Sequence, residues 1–91
     1  MGKFRLEITA DAENDLKKHY KSGDKATIKR IEKILKELSE NPFEGTGRPE
    51  ELKYEYSGFW SRRLNIKDRI IYQVNEEIIV VYIISAIGHY E

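Results

Sequence analysis

Residues 24–42 read DKATIKRIEKILKELSENP, and within them Ile28, Ile31, Leu35 and Leu38 recur at steps of three and four, with Ile34 widening the stripe. That spacing predicts an amphipathic helix with Lys25, Lys29, Arg30, Glu32, Lys33, Lys36 and Glu37 on its outer face. Asp24 supplies an N-cap. Asn41-Pro42 ends the helix, because proline cannot continue the hydrogen-bond ladder and moves the residue before it out of the helical region. Towards the N-terminus, Phe4, Leu6 and Ile8 alternate with Arg5 and Glu7, which predicts a short strand. Thr9 or Asp11 then caps a first helix that carries Ala12, Leu16, His19 and Tyr20 on one face and stops at Ser22-Gly23. The two helices form a hairpin.

Towards the C-terminus the segment from Pro42 to Pro49, PFEGTGRP, reads as an ordered loop with Phe43 tucked beneath it. Beyond it the period becomes two. Leu52, Tyr54 and Tyr56 alternate with polar residues up to a turn at Ser57-Gly58. Trp60, Arg62, Leu64 and Ile66 then alternate with Ser61, Arg63 and Asn65, so each stretch is a strand with one buried face. Lys67-Asp68 turns into a strand over Arg69 to Val74, and Asn75-Glu76-Glu77 turns into Ile78 to Ile84. This last run is apolar on both faces and is expected inside the sheet. The order strand, helix, helix, strands predicts one α+β domain over residues 1–91, with a mainly antiparallel sheet and the N-terminal helical hairpin packed on one face.

Composition narrows the functional classes. Sixteen Lys and Arg balance sixteen Asp and Glu among 91 residues, and the longest apolar run, Ile78 to Ile84, is far short of the roughly 20 residues that span a bilayer. The N-terminus has no apolar stretch of the signal-peptide kind, so no membrane role and a cytoplasmic location are expected. The chain has no cysteine and only two histidines, His19 and His89. That removes disulfides, thiolate nucleophiles and Cys-based zinc sites, and metal chemistry would have to rest on carboxylates. An even charge balance ordinarily speaks against a nucleic-acid partner. The average conceals a local excess, because Arg62, Arg63, Lys67 and Arg69 fall within eight residues.

The polar groups that neighbouring strand ends can bring together are Glu50, Glu51, Lys53, Arg62, Arg63, Arg69, His89 and Tyr90. A carboxylate can accept a proton, a histidine can donate one, and arginines can hold a phosphate together with the charge that develops on it. Such a set suits metal-free RNA cleavage, in which the 2′-OH is an internal nucleophile. Each residue alone has a plainer role. The strand tyrosines suit packing, Trp60 suits a core anchor, and His19 on the inner face of the first helix suits a structural contact. Composition and spacing by themselves support a small α+β domain with RNA as one candidate ligand.

Four segments together carry more. The stretch from Asn41 to Lys53, NPFEGTGRPEELK, is followed by YSGFWSRRL from Tyr56 to Leu64, DRIIY from Asp68 to Tyr72, and the terminal His89-Tyr90. In this order and spacing they resemble the YoeB (Txe) toxins of the RelE superfamily over about residues 24–90. The resemblance implies a RelE-like microbial ribonuclease fold and the toxin half of a type II toxin–antitoxin module. It implies an mRNA endoribonuclease that works at the A site of the ribosome without metal or cofactor. Glu50 would be the general base and His89 the general acid. Arg69 with Arg63 would stabilise the transition state, Tyr90 would orient the nucleotide, and Lys53 would assist at the phosphate; Arg62, from the basic cluster, is a further substrate-binding candidate. A homodimer and a YefM/Phd-type antitoxin are the implied protein partners.

Arg48 stands where the family usually has Lys, and Asp68 where it usually has His. The Asp68 side chain is expected on the face opposite Arg69. The Arg62–Arg69 cluster and the basic face of the second helix are candidate contacts for ribosomal RNA. Two other functions suit the same scaffold: a ParE-like inhibitor of DNA gyrase and an inactive RNA-binding module. Glu50 and His89 discriminate between them, since a binder needs the arginines but has no use for a base and an acid.

Overall fold

A computed structural model describes residues 3–53 and 58–88. The elements are β1 (Arg5–Ile8), α1 (Ala10–Ser22), α2 (Lys25–Glu40), β2 (Glu50–Glu51), β3 (Phe59–Arg63), β4 (Arg69–Asn75) and β5 (Val80–Ser85). They form a mixed five-stranded sheet in the order β1-β5-β4-β3-β2, in which β1 runs parallel to β5 and the other pairs are antiparallel. β5 is an interior strand, as its apolar run predicts. Thr9 is the α1 N-cap and accepts from the Ala12 N–H at 3.1 Å. Asp24 caps α2 through the Thr27 N–H at 3.1 Å.

Both helices cover one sheet face, and the core lies between. Ala12 and Leu16 of α1 and Ile31, Ile34 and Leu38 of α2 meet Leu64, Ile70, Tyr72, Val81 and Ile83. The inner stripe of α2 is Thr27, Ile31, Ile34 and Leu38, so the helix is turned from the predicted Ile28–Leu35 stripe, and those two residues are only half-buried. Ala86 is gripped by α1 at both backbone groups: its N–H donates to Asp15 Oδ2 at 2.9 Å and its carbonyl lies 2.6 Å from His19 Nε2. His19 has the structural role expected of it.

Two hairpins differ from the periodicity reading for one physical reason. Asn65 Oδ1 accepts from the N–H groups of Lys67 (2.9 Å) and Asp68 (2.8 Å). This side-chain turn ends β3 early and leaves Ile66 at the apex, 99% exposed. Asn75 Oδ1 likewise accepts from Glu77 (3.1 Å) and Ile78 (3.3 Å), so Ile78 and Ile79 belong to the turn and β5 starts at Val80. The predicted alternation at Tyr54 and Tyr56 lies outside the described residues.

The second helix departs from prediction at one further position. Glu37 does not sit on the outer face: it reaches Arg62, which lies on the helix-covered side of β3 and is fully buried. The Arg62 guanidinium donates from Nη1 to Glu37 Oε1 at 2.7 Å and from Nε to the Tyr72 hydroxyl at 3.1 Å. It also donates to the carbonyls of Asn41 (3.2 Å), Glu44 (2.8 Å) and Thr46 (3.4 Å). Glu37 in turn accepts from the Thr46 N–H at 2.7 Å and hydroxyl at 2.8 Å. The Tyr72 hydroxyl donates to the Pro42 carbonyl at 2.7 Å. One buried cation thus organises the loop between α2 and β2. Phe43 of that loop packs edge-on against Trp60, with ring centroids 5.3 Å apart.

The energetics of this cluster are testable. Removing one partner of a buried ion pair strands the other charge, which costs about 3–5 kcal/mol. Arg62→Ala should therefore lower Tm by at least about 12 °C in a circular-dichroism melt; an unchanged Tm would sink the structural role. Burial works to raise the Glu37 pKa, but the two Thr46 donors and the Arg62 charge outweigh it and hold the carboxyl below its ordinary 4.5. A depressed folded pKa contributes stability above the unfolded value that is lost as pH falls through the folded one. Tm should fall progressively below about pH 4.5, and Glu37→Gln should flatten part of that acid limb. Asp24, also held low by the Thr27 hydroxyl and N–H, accounts for another part.

Candidate active site

Strand parity sorts the basic cluster into two populations. Residues of β3 that point with Arg62 face the helices, and Arg63 points the other way. Arg63 is paired directly with Arg69 across β3 and β4, and Glu50 of β2 lies opposite Ser61. Glu50, Arg63 and Arg69 consequently share the sheet face away from the helices. There, with Gly47, Arg48 and Pro49, they line a cleft of about 200 Å³.

The loop that ends at Glu50 is fixed from both sides. Arg62 and Glu37 hold its first half, and the Arg63 N–H donates to the Gly47 carbonyl at 2.7 Å. Gly47 has φ +87°, and a Cβ there would lie 2.7 Å from the Arg63 carbonyl oxygen, so only glycine fits. Pairing of Glu51 with Trp60, and the Leu52 N–H to Phe59 carbonyl bond at 2.8 Å, continue the edge.

Charge in the cleft is unbalanced. Like charges directly opposite on adjacent strands repel, and Arg63 and Arg69 are so placed. Among the described residues one carboxylate in the cleft answers them: Glu50 Oε1 lies 3.5 Å from Arg69 Nη1. The Glu50 side chain is 68% exposed, and an ion pair so long and open to water contributes little. Among the described residues the Arg48 and Arg63 side chains have no hydrogen-bond or ion-pair partner. Three guanidinium groups facing one carboxylate make an anion site with a proton acceptor at its rim.

Of the residues singled out from sequence, Glu50, Arg63 and Arg69 are brought together. Arg62 is not: it is fully buried with its N–H groups engaged by the protein, and it cannot reach a ligand in the cleft. Its position among Trp60 and Leu64 in the alternation already carried that signal. Lys53 is exposed but does not line the cleft. His89 and Tyr90 lie outside the described residues. Their neighbour Gly88 does not, and its carbonyl accepts from the Arg69 N–H at 2.8 Å while its N–H donates to Asp68 Oδ1 at 2.9 Å. Asp68 is buried, also accepts from Asn65 Nδ2 at 3.2 Å, and contributes nothing to the cleft lining. Arg48 was noted in the sequence only as a replacement for the family's usual Lys, because an arginine in a Gly- and Pro-rich loop resembles ordinary surface charge. The basic residues of α2, Lys25, Lys29, Arg30, Lys33 and Lys36, are all exposed.

Comparison with known proteins is in keeping with this geometry. Residues 8–90 match the family described as YoeB-like toxin of bacterial type II toxin-antitoxin system. Toxin YoeB of Escherichia coli is 40% identical over 63 residues, which are 69% of this chain and 75% of that protein. The YoeB dimer from Staphylococcus aureus superposes with a TM-score of 0.79 at 32% identity, covering 97% of this chain and 99% of that one. YoeB in the YoeB-YefM complex from the same organism gives 0.76 at 32% identity, covering 96% and 98%. With this fold, a cleft of three arginines and a glutamate, and a family match across nearly the whole length, the chain belongs to the YoeB-like toxins of bacterial type II toxin–antitoxin systems.

Proposed function

We propose that this toxin is a metal-independent endoribonuclease that cleaves mRNA at the A site of the ribosome. The observation that carries the reading is the Arg63–Arg69 pair, two like charges held opposite each other at structural cost and met, among the described residues, by the exposed Glu50 carboxylate. Such an arrangement favours an anion that gains charge, as a phosphodiester does on attack by the neighbouring 2′-oxygen.

In this mechanism Glu50 takes the 2′-OH proton as the oxygen attacks phosphorus. Arg69 and Arg63 stabilise the five-coordinate phosphorus species. His89 protonates the departing 5′-oxygen, and Tyr90 orients the nucleotide. The P–O5′ bond breaks, giving a 2′,3′-cyclic phosphate, which later opens to a 3′-phosphate, and a 5′-OH fragment. The double tie of Gly88 to Asp68 and Arg69 supports the reading, since His89 is bonded to a residue held beside a cleft arginine. Lys53 meets the RNA backbone outside the cleft, and the basic face of α2 contacts ribosomal RNA. By analogy with the YoeB dimer and the YoeB-YefM complex of Staphylococcus aureus, this chain forms a homodimer and binds a YefM/Phd-type antitoxin that neutralises it; the sequence reading adds a cytoplasmic location.

Glu50→Ala should slow mRNA cleavage by about 100-fold or more in a cell-free translation assay mapped by primer extension, with Tm unchanged. His89→Gln should do the same. Cleavage at the wild-type rate in both variants would remove the acid–base mechanism. A 2′-deoxy nucleotide at the scissile position should abolish the reaction, and toxin treated with EDTA and then freed of the chelator before it meets the ribosome should cleave at the untreated rate.

A further inference from the structure

Arg48 has a backbone conformation that its residue type disfavours. Its φ is +53°, in the left-handed region where a Cβ crowds the following carbonyl. The same loop meets two other positive-φ positions, Gly45 and Gly47, with glycine. At position 48 the chain keeps a long cationic side chain at steric cost. That side chain is exposed and lines the cleft beside Arg63 and Arg69, with no partner among the described residues. Backbone strain of this kind persists where the surroundings over-determine it and tends to collect at functional sites. Here the surroundings are the Gly47 carbonyl bond to Arg63 on one side and Pro49 on the other.

We propose that Arg48 is a third phosphate-binding residue of the cleft, gripping the RNA backbone alongside Arg63 and Arg69. The assignment rests on the reading that the cleft takes an RNA phosphodiester, and it deepens that reading by adding a ligand contact. Its left-handed φ turns the loop between the Arg62-bound segment and β2, so the guanidinium is carried on a backbone fixed at both ends. Little side-chain or loop entropy beyond its own rotamers is then lost on binding.

The test sets stability against binding, using a short 2′-O-methylated single-stranded RNA that cannot be cleaved by internal attack. Arg48→Gly relieves the strain, so Tm should rise by about 2–5 °C. Affinity for the RNA should fall about 5- to 10-fold, and the slope of log K against log salt should become shallower by about 0.7. Arg48→Lys should retain most of the affinity, since it keeps the charge. A lower Tm in Arg48→Gly would make the side chain structural. Unchanged affinity and salt slope would overturn phosphate binding. Because this RNA reports binding alone, loss of affinity in Arg48→Gly stands even if Glu50→Ala proves fully active, and the two proposals fail separately.

Discussion

The structure depends on a charge taken out of water. Arg62 is the largest fully buried side chain in the described core, and an isolated guanidinium there would cost several kcal/mol. The chain offsets that cost with five acceptors: the Glu37 carboxylate from α2, the Tyr72 hydroxyl from β4, and the carbonyls of Asn41, Glu44 and Thr46. No buried polar side-chain atom among the described residues lacks a partner. The pair contributes little net stability relative to an apolar core of the same volume, and what it supplies is definition. A loop rich in glycine and proline has no hydrogen-bond ladder of its own, and Arg62 gives its carbonyls one shared donor. The segment that delivers Gly47, Arg48, Pro49 and Glu50 to the cleft thereby acquires a single conformation.

The division of labour between adjacent arginines follows from the two-residue period of a strand. Arg62 points into the core and fixes the loop; Arg63 points out and lines the cleft. The alternation of Trp60, Arg62 and Leu64 with Ser61 and Arg63 was legible in the sequence, and it placed Arg62 on the apolar side. Reading Arg62 as a substrate contact followed charge clustering instead, and clustering along a chain says nothing about which face a side chain takes. Glu37 was misplaced for a related reason. Helical periodicity marks a glutamate as outward when nothing in the sequence announces a buried cation 25 residues later.

Most of the architecture was readable because its signals are local. The α2 stripe, the Asp24 cap, the Pro42 stop and the apolar β5 run each depend on a few neighbouring residues. Hairpin apices were less so. Asn65 and Asn75 end their strands by bonding their own downstream N–H groups, and that competition moves Ile66, Ile78 and Ile79 from predicted strand to turn. In the cleft, Glu50, Arg63 and Arg69 were found from residue type and motif, whereas Arg48 needed the backbone angle to stand out. The expectation that Asp68 points away from Arg69 was met for a reason periodicity does not contain, since its carboxylate closes onto the Gly88 amide.

The carbonyls around Arg62 also act as a ruler. Oxygens at positions 41, 44 and 46 meet one planar group of fixed dimensions, while Glu37 meets the backbone and side chain of Thr46 from the end of α2. A one-residue insertion or deletion between Asn41 and Thr46 would bring the wrong peptide units to those donors and shift Glu50 along the edge of β3. Exposed loops ordinarily tolerate changes in length among relatives. This one should not, and its residue count is as much a part of the cleft as the arginines that line it.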